Sequence, residues 1–115
     1  MVQVAIKRIY EPPSPADGRR ILVDRLWPRG VSKARARLDA WMKDIGPSDE
    51  LRRWFDHQPE RWAEFRRRYI DELTSNAALV ALRDAAAAGP VTLLYAARDT
   101  AHNEAVVLAE QLTAR

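Results

Sequence analysis

The chain has 115 residues, 47% hydrophobic and 30% charged, the size and composition of a single globular α/β domain spanning 1–115 rather than of a disordered segment. It contains no cysteine, which excludes disulfides, thiolate nucleophiles, zinc ribbons and iron–sulfur clusters. The net charge of +3 is unevenly placed: residues 1–37 carry nine Lys or Arg against three acids, or +6, which leaves −3 for the remainder.

That asymmetry points to an anionic partner, weighed evenly against a plain coat of solvated surface arginines. No apolar run approaches the ~20 residues that cross a bilayer. The first ten residues hold Lys7 and Arg8 within an alternating pattern, not a signal-peptide apolar region. A cytoplasmic location without a membrane partner is the expectation.

Val2, Val4 and Ile6 alternate with Gln3, Ala5 and Lys7, the pattern of a half-buried strand. Glu11 to Gly18 holds three prolines and ends in Asp-Gly, so it reads as a loop. Ile21-Leu22-Val23 is a second strand that runs out into Asp24, and Trp27-Pro28-Arg29-Gly30 breaks it. Ser32 is placed to cap a helix whose Ala34, Leu38, Trp41 and Ile45 recur at helical spacing up to Gly46-Pro47.

Ser48 caps a short helix with Leu51, Trp54 and Phe55. Pro59 suits the first turn of a longer one, with a stripe of Trp62, Phe65, Tyr69, Ile70 and Leu73. The aromatic residues on these stripes, Trp41 included, are expected in the core. Asn76 opens a helix that Gly89-Pro90 stops. Val91 to Ala97 is apolar almost throughout, as a strand buried on both faces is. A last helix follows, capped by Asp99 or Thr100, with Ala105, Leu108, Ala109 and Leu112 inward.

The expected architecture is a small, mostly parallel three-stranded sheet packed with about four to five helices. An antiparallel pairing of the first two strands stays open, because their connection is short for a parallel crossover.

Ligands of open α/β sheets bind beyond the carboxyl ends of the strands. Two of those ends are polar here. The second strand leads into Asp24, Arg25, Trp27 and Arg29, with Lys33 beyond. The last leads through Tyr95 into Arg98, Asp99, His102 and Asn103. Arg25, Arg29, Lys33 and Arg98 are candidates for holding an anion, since a guanidinium grips phosphate or carboxylate bidentately.

Asn103 would add a donor, and His102 or Asp99 would move a proton. Asp24 and Arg25 would alternatively pair with other charges and brace the strand end. Trp27 would stack on a ring, or cover the core edge. His102 and His57 lie far apart, and no carboxylates stand at ligand spacing, so no metal site and no cofactor are expected. There is no Gly-rich phosphate loop, dinucleotide fingerprint or serine nucleophile elbow. Arg66-Arg67-Arg68 fan around a helix, with Glu64 and Asp71 near enough to pair with them.

Lys7-Arg-Ile-Tyr10, Val23-Asp-Arg-Leu-Trp-Pro-Arg-Gly30, Leu51-Arg-Arg-Trp-Phe55, Thr92-Leu-Leu-Tyr-Ala-Ala-Arg-Asp99 and His102-Asn-Glu-Ala105 resemble the YeaO-like proteins, a branch of domain-of-unknown-function family 488. The resemblance spans nearly the whole chain. It implies a compact bacterial α/β fold and no established activity. Longer relatives are similar at the same strand ends but carry a Cys-His-Arg where this chain has His102-Asn103, so no cysteine mechanism carries over.

Three functions compete on these residues. The first is binding of a phosphate-bearing or nucleotide-like small anion at the strand ends, with or without catalysis. The second is a nucleic-acid-binding or regulatory module that uses the basic N-terminal third. The third is a protein-interaction domain with no small ligand. Oligomeric state is left open by the sequence.

Overall fold

A computed structural model of the chain describes residues 2–114. Its sheet has four strands, β1 (Val4–Arg8), β2 (Arg19–Leu22), β3 (Ala40–Trp41) and β4 (Val91–Tyr95), in the order β1-β4-β2-β3. Every neighbouring pair is parallel. β1 and β2 therefore flank β4 instead of pairing with each other, which removes the antiparallel alternative. All carboxyl ends lie at one edge of the sheet as a consequence.

Central β4 explains its own unbroken apolar run, since all five residues are buried. Val91, Leu93 and Tyr95 face the main core, while Leu94 joins Ile9, Leu22 and Ala36 on the other face. The main core is completed by α2 (Asp49–Phe55), α3 (Trp62–Leu73), α4 (Ala77–Ala88) and α5 (Glu104–Thr113). The smaller cluster is covered by α1 (Lys33–Ala36), with Trp27, Val31 and Leu38 against it.

The region after Ser32 departs from the expected long helix. Ser32 does cap α1, accepting from the Arg35 N–H at 3.1 Å. However, Arg37 adopts a left-handed conformation (φ 46°) that ends the helix after one turn. Asp39 then captures β2: its carboxylate accepts from Arg20 N at 2.8 Å, and its own N–H donates to Arg20 O at 2.8 Å. The chain extends along β2 as β3, the fourth strand, and Trp41 becomes an exposed edge residue packed edge-on against Trp27. Tertiary pairing overrides helical spacing here, and Trp41 leaves the expected core. Trp54 and Trp62 are half-buried, whereas Phe65 and Tyr69 are buried.

A buried ionic knot fixes the start of β2. Asp17 closes a 3-10 turn (Pro15–Asp17) and its carboxylate accepts from Ser14 N (3.0 Å), Lys7 Nζ (3.1 Å) and Arg20 Nη1 (2.5 Å). Burial pushes the Asp17 carboxyl up, but the Ser14 N–H, Lys7 and Arg20 outweigh it and hold it below the usual carboxylate range. Arg20 also donates to the carbonyls of Ala36 (2.8 Å) and Arg37 (3.2 Å), so α1 is pinned to β2. Thr92 Oγ1 on β4 donates to Asp17 O at 2.7 Å. Next in sequence, Gly18 has φ +63°, and a Cβ there would fall on the Pro90 carbonyl.

The helices are held by similar side-chain contacts. Ser48 caps α2 through Leu51 N (3.2 Å), and Glu72 of α3 accepts from both Ser48 N (2.8 Å) and Ser48 Oγ (2.6 Å). Buried Tyr69 donates to Ile45 O at 2.6 Å. Arg67 and Arg68 of the basic run on α3 pair with Glu64 at 2.6 and 2.7 Å, as their spacing predicts, whereas Arg66 pairs with distant Glu110 of α5 at 2.8 Å.

Candidate functional site

A cleft of about 860 Å³ opens at the carboxyl edge of the sheet, a volume suited to a small-molecule ligand. Three segments wall it: residues 24–29 after β2, residues 52–57 at the end of α2, and residues 96–104 between β4 and α5. Arg25, Arg29, Arg98, Asp99, His102, Asn103, Asp24 and Trp27 all line it, so the two polar strand ends do converge. Lys33 lies outside, exposed on α1. Tyr95 is buried beneath, and its phenol is pushed up by burial.

Several of these side chains build the walls. Arg25 donates through Nε to Pro47 O (3.0 Å) and through Nη2 to Gly46 O (2.9 Å), tying the β2 exit to the loop before α2. Arg8, at the end of β1, grips Ala97 O (2.9 Å) and Ala96 O (3.1 Å) in the same way. Trp27 Nε1 donates to Val31 O at 2.7 Å, which fixes that ring at the cleft edge. Asn103 is the N-cap of α5: its oxygen accepts from Val106 N (3.2 Å) and its amide donates to Asp99 O (2.9 Å). The last helix thus begins at Glu104 and is capped by Asn103, not by Asp99 or Thr100, and His102 precedes it.

Asp99 instead organises a turn. One carboxylate oxygen accepts from Ala101 N (2.9 Å) and His102 N (3.0 Å), and the other meets His102 Nδ1 at 2.8 Å. The His102 contact, with those N–H groups, holds the Asp99 carboxyl below its ordinary range. An ionised carboxylate only accepts, so Nδ1 carries the hydrogen and Nε2 is left as the free ring nitrogen. The ring packs edge-on against Trp62, with centroids 5.2 Å apart. This is the arrangement of an oriented imidazole.

Three arginines that line the cleft are uncommitted. Among the described residues, Arg29, Arg53 and Arg98 form no ion pair, and their side chains make no hydrogen bond. Arg53 belongs to α2, with Arg52 and His57 nearby on the same wall. Sequence reasoning missed that wall, because only long-range packing brings the end of α2 to the strand ends. The one local signal was the Arg52-Arg53 pair just ahead of Asp56-His57. Those last two residues hold left-handed backbones (φ 46° and 53°), strained for residues with a Cβ.

Glu104 was also missed. It is the first residue of α5 and lines the cleft together with Asp24. Burial, reinforced by Asp24, pushes the Glu104 carboxyl well above its ordinary value. Asp24 Oδ2 also accepts from Ala96 N at 3.0 Å, which joins the β2 and β4 exits. Asp24 and Arg25 were expected to pair with other charges; instead both bond backbone groups, and neither forms an ion pair among the described residues.

Among the described residues no group of three His, Asp or Glu is arranged to hold a metal ion, and no helix is long and apolar enough to cross a membrane.

A family model described as the inactive DUF488-N3 subclade matches residues 3–115. The chain is 46% identical over 112 residues to the uncharacterised protein YeaO of Escherichia coli K12, an alignment covering 96% of this chain and 97% of that protein. It is 47% identical over 113 residues to uncharacterised proteins of Mycobacterium tuberculosis and Mycobacterium bovis, covering 98% of this chain and 96% of each. No solved structure matches it. The chain belongs to the YeaO-like branch of domain-of-unknown-function family 488.

Proposed function

We propose that this chain binds a small phosphate-bearing or nucleotide-like anion in the cleft at the carboxyl ends of its strands, and does so without turning it over. The observation that carries this reading is that three uncommitted arginines, Arg29, Arg53 and Arg98, are among the residues lining one concave site. A free guanidinium retains its full donor fork for an oxyanion. The start of α5, at Asn103 and Glu104, lines the same cleft, where the positive end of the helix dipole adds to the field. His102, oriented by Asp99, offers Nε2 as an acceptor for a hydroxyl or amine N–H elsewhere on the ligand. The description of the family as inactive favours binding over catalysis.

The basic N-terminal third carries less weight as a nucleic-acid surface. Lys7, Arg8, Arg20 and Arg25, four of its nine basic residues, are engaged inside the protein.

The test is calorimetric titration of the protein with inorganic phosphate and with adenosine monophosphate, alongside Arg53→Ala/Arg98→Ala. The proposal expects saturable binding that the double variant weakens at least tenfold while its melting temperature changes little. Unchanged affinity in the variant refutes it, as does absence of binding to any phosphate compound at millimolar concentration.

A further inference from the structure

Inorganic phosphate leaves most of a cleft of about 860 Å³ empty, and the lining at the β1 and β2 exits includes apolar and aromatic residues. Among the described residues four large hydrophobic side chains are exposed, Tyr10 (41%), Leu26 (59%), Trp41 (38%) and Val80 (59%). Tyr10 and Leu26 line this cleft, and Trp41 is the ring against which cleft-lining Trp27 packs. Single exposed apolar residues need no explanation, but three gathered about one cleft mark a contact surface.

The aromatic rings of that surface are held in place. Arg8, anchored on the Ala96 and Ala97 carbonyls, stacks on Tyr10 with its Cζ 4.9 Å from the ring centroid. The Tyr10 hydroxyl donates to Arg29 O at 3.1 Å, which ties the ring to the segment carrying one of the free arginines. Trp27 is fixed by its bond to Val31 O and by Trp41, whose ring meets it at 5.3 Å and 72°. Aromatic surface that is already immobile loses little entropy when a flat ligand stacks on it.

We infer that the ligand is a nucleoside monophosphate, with its phosphate on Arg29, Arg53 and Arg98 and its base against Tyr10, Leu26 and Trp27. This rests on reading the cleft as an anion site. Every base has a π-face, so such a platform holds a base without reading its edge. The ribose and the base also use acceptors that a simple aryl phosphate would leave to water. His102 Nε2 is free to accept, and Asp56, another lining residue, has a carboxylate with no partner among the described residues. Ribose hydroxyls and exocyclic amines donate to such groups.

The experiment titrates the wild type with adenosine monophosphate, ribose 5-phosphate and phenyl phosphate by calorimetry, and repeats the first two on Tyr10→Ala. The Trp27 indole Nε1–H resonance of the ¹⁵N-labelled wild type is followed in parallel. The inference expects adenosine monophosphate to bind at least about fivefold tighter than either other probe, the low end of what stacking on an aromatic ring contributes. It expects Tyr10→Ala to cut the preference over ribose 5-phosphate by at least about threefold. Saturating adenosine monophosphate shifts the Trp27 resonance more than ribose 5-phosphate does, while Trp54, which does not line the cleft, stays unmoved. Tyr10 is exposed, so its truncation spares the core, and the wild-type resonances do not depend on that variant.

Equal affinity for adenosine monophosphate and ribose 5-phosphate overturns the inference and leaves the anion site standing. Phenyl phosphate binding as tightly as adenosine monophosphate overturns the assignment to a nucleotide. A preference unchanged in Tyr10→Ala, or a Trp27 resonance that both ligands move alike, overturns the placement of the base. Failure of every phosphate compound to bind the wild type overturns the anion reading itself.

Discussion

Replacing Asp17 with Asn tests the claim that much of the N-terminal basicity serves the fold. Asp17 and Arg20 side chains are only 8% and 6% exposed, so their charges are desolvated together. The amide keeps the shape of the carboxylate but removes the negative charge and turns N–H donors toward Lys7 and Arg20. Breaking one side of a buried ion pair costs about 3–5 kcal/mol, because it leaves the other charge uncompensated. Two features place this site at the lower end. Arg20 retains the Ala36 and Arg37 carbonyls, and Lys7 lies close enough to solvent to swing out.

About 3 kcal/mol in a domain of this length lowers the melting temperature by roughly 12 °C. Denaturant unfolding at pH 7, followed by tryptophan fluorescence, measures it directly. The pH dependence provides a second check. The folded state holds the Asp17 carboxyl below its unfolded value, so its stabilisation is present above that value and lost as pH falls through the folded one. Wild type loses that increment in acid and Asp17→Asn does not. A loss under about 1 kcal/mol at pH 7, with parallel acid profiles, would refute the buried-knot account.

Glu104 carries the opposite sign. Its folded value is raised, so the stabilisation is complete below the unfolded value and disappears as pH rises through the folded one. Melting curves of Glu104→Gln should therefore gain on wild type as pH increases, and profiles that stay parallel would contradict the raised carboxyl. Tyr69→Phe leaves the buried Ile45 carbonyl without its donor and should cost about 1–3 kcal/mol in urea unfolding, with no cost if the hydroxyl is idle. Gly18→Ala combines a left-handed backbone with a collision at Pro90, so a loss of at least about 2 kcal/mol is expected; a neutral result would mean that the β2–β4 register shifts freely.

Local signals in the sequence carried most of the fold. The strand at Val91–Tyr95 announced burial on both faces, Ser48 and Asn76 marked helix starts, and Pro59 marked a first turn. The misreadings arose where a distant partner decided the outcome. Leu38 and Trp41 satisfy helical spacing, but Arg37 turns left-handed and Asp39 finds the β2 backbone, so the chain becomes an edge strand. Asp99 looked like a helix cap, yet Asn103 took that place because Asp99 was already committed to His102.

The candidate site divides along the same line. Residues adjacent to strand ends were visible, since a parallel sheet puts its carboxyl ends on one edge. Arg53 and Glu104 were not, because no spacing rule links the end of α2 to β4, or Asp24 to a residue 80 positions later.

The central claim is that Arg29, Arg53 and Arg98 form one anion site while Arg8, Arg20, Arg25 and Arg66 serve the fold. Titration of inorganic phosphate into the ¹⁵N-labelled protein, with the arginine Nε–H resonances resolved by NMR, tests it most directly. The account predicts saturable shifts confined to Arg29, Arg53 and Arg98, with Arg20 and Arg66 unmoved. Shifts spread evenly over all exposed arginines, or none at saturating phosphate, would contradict it.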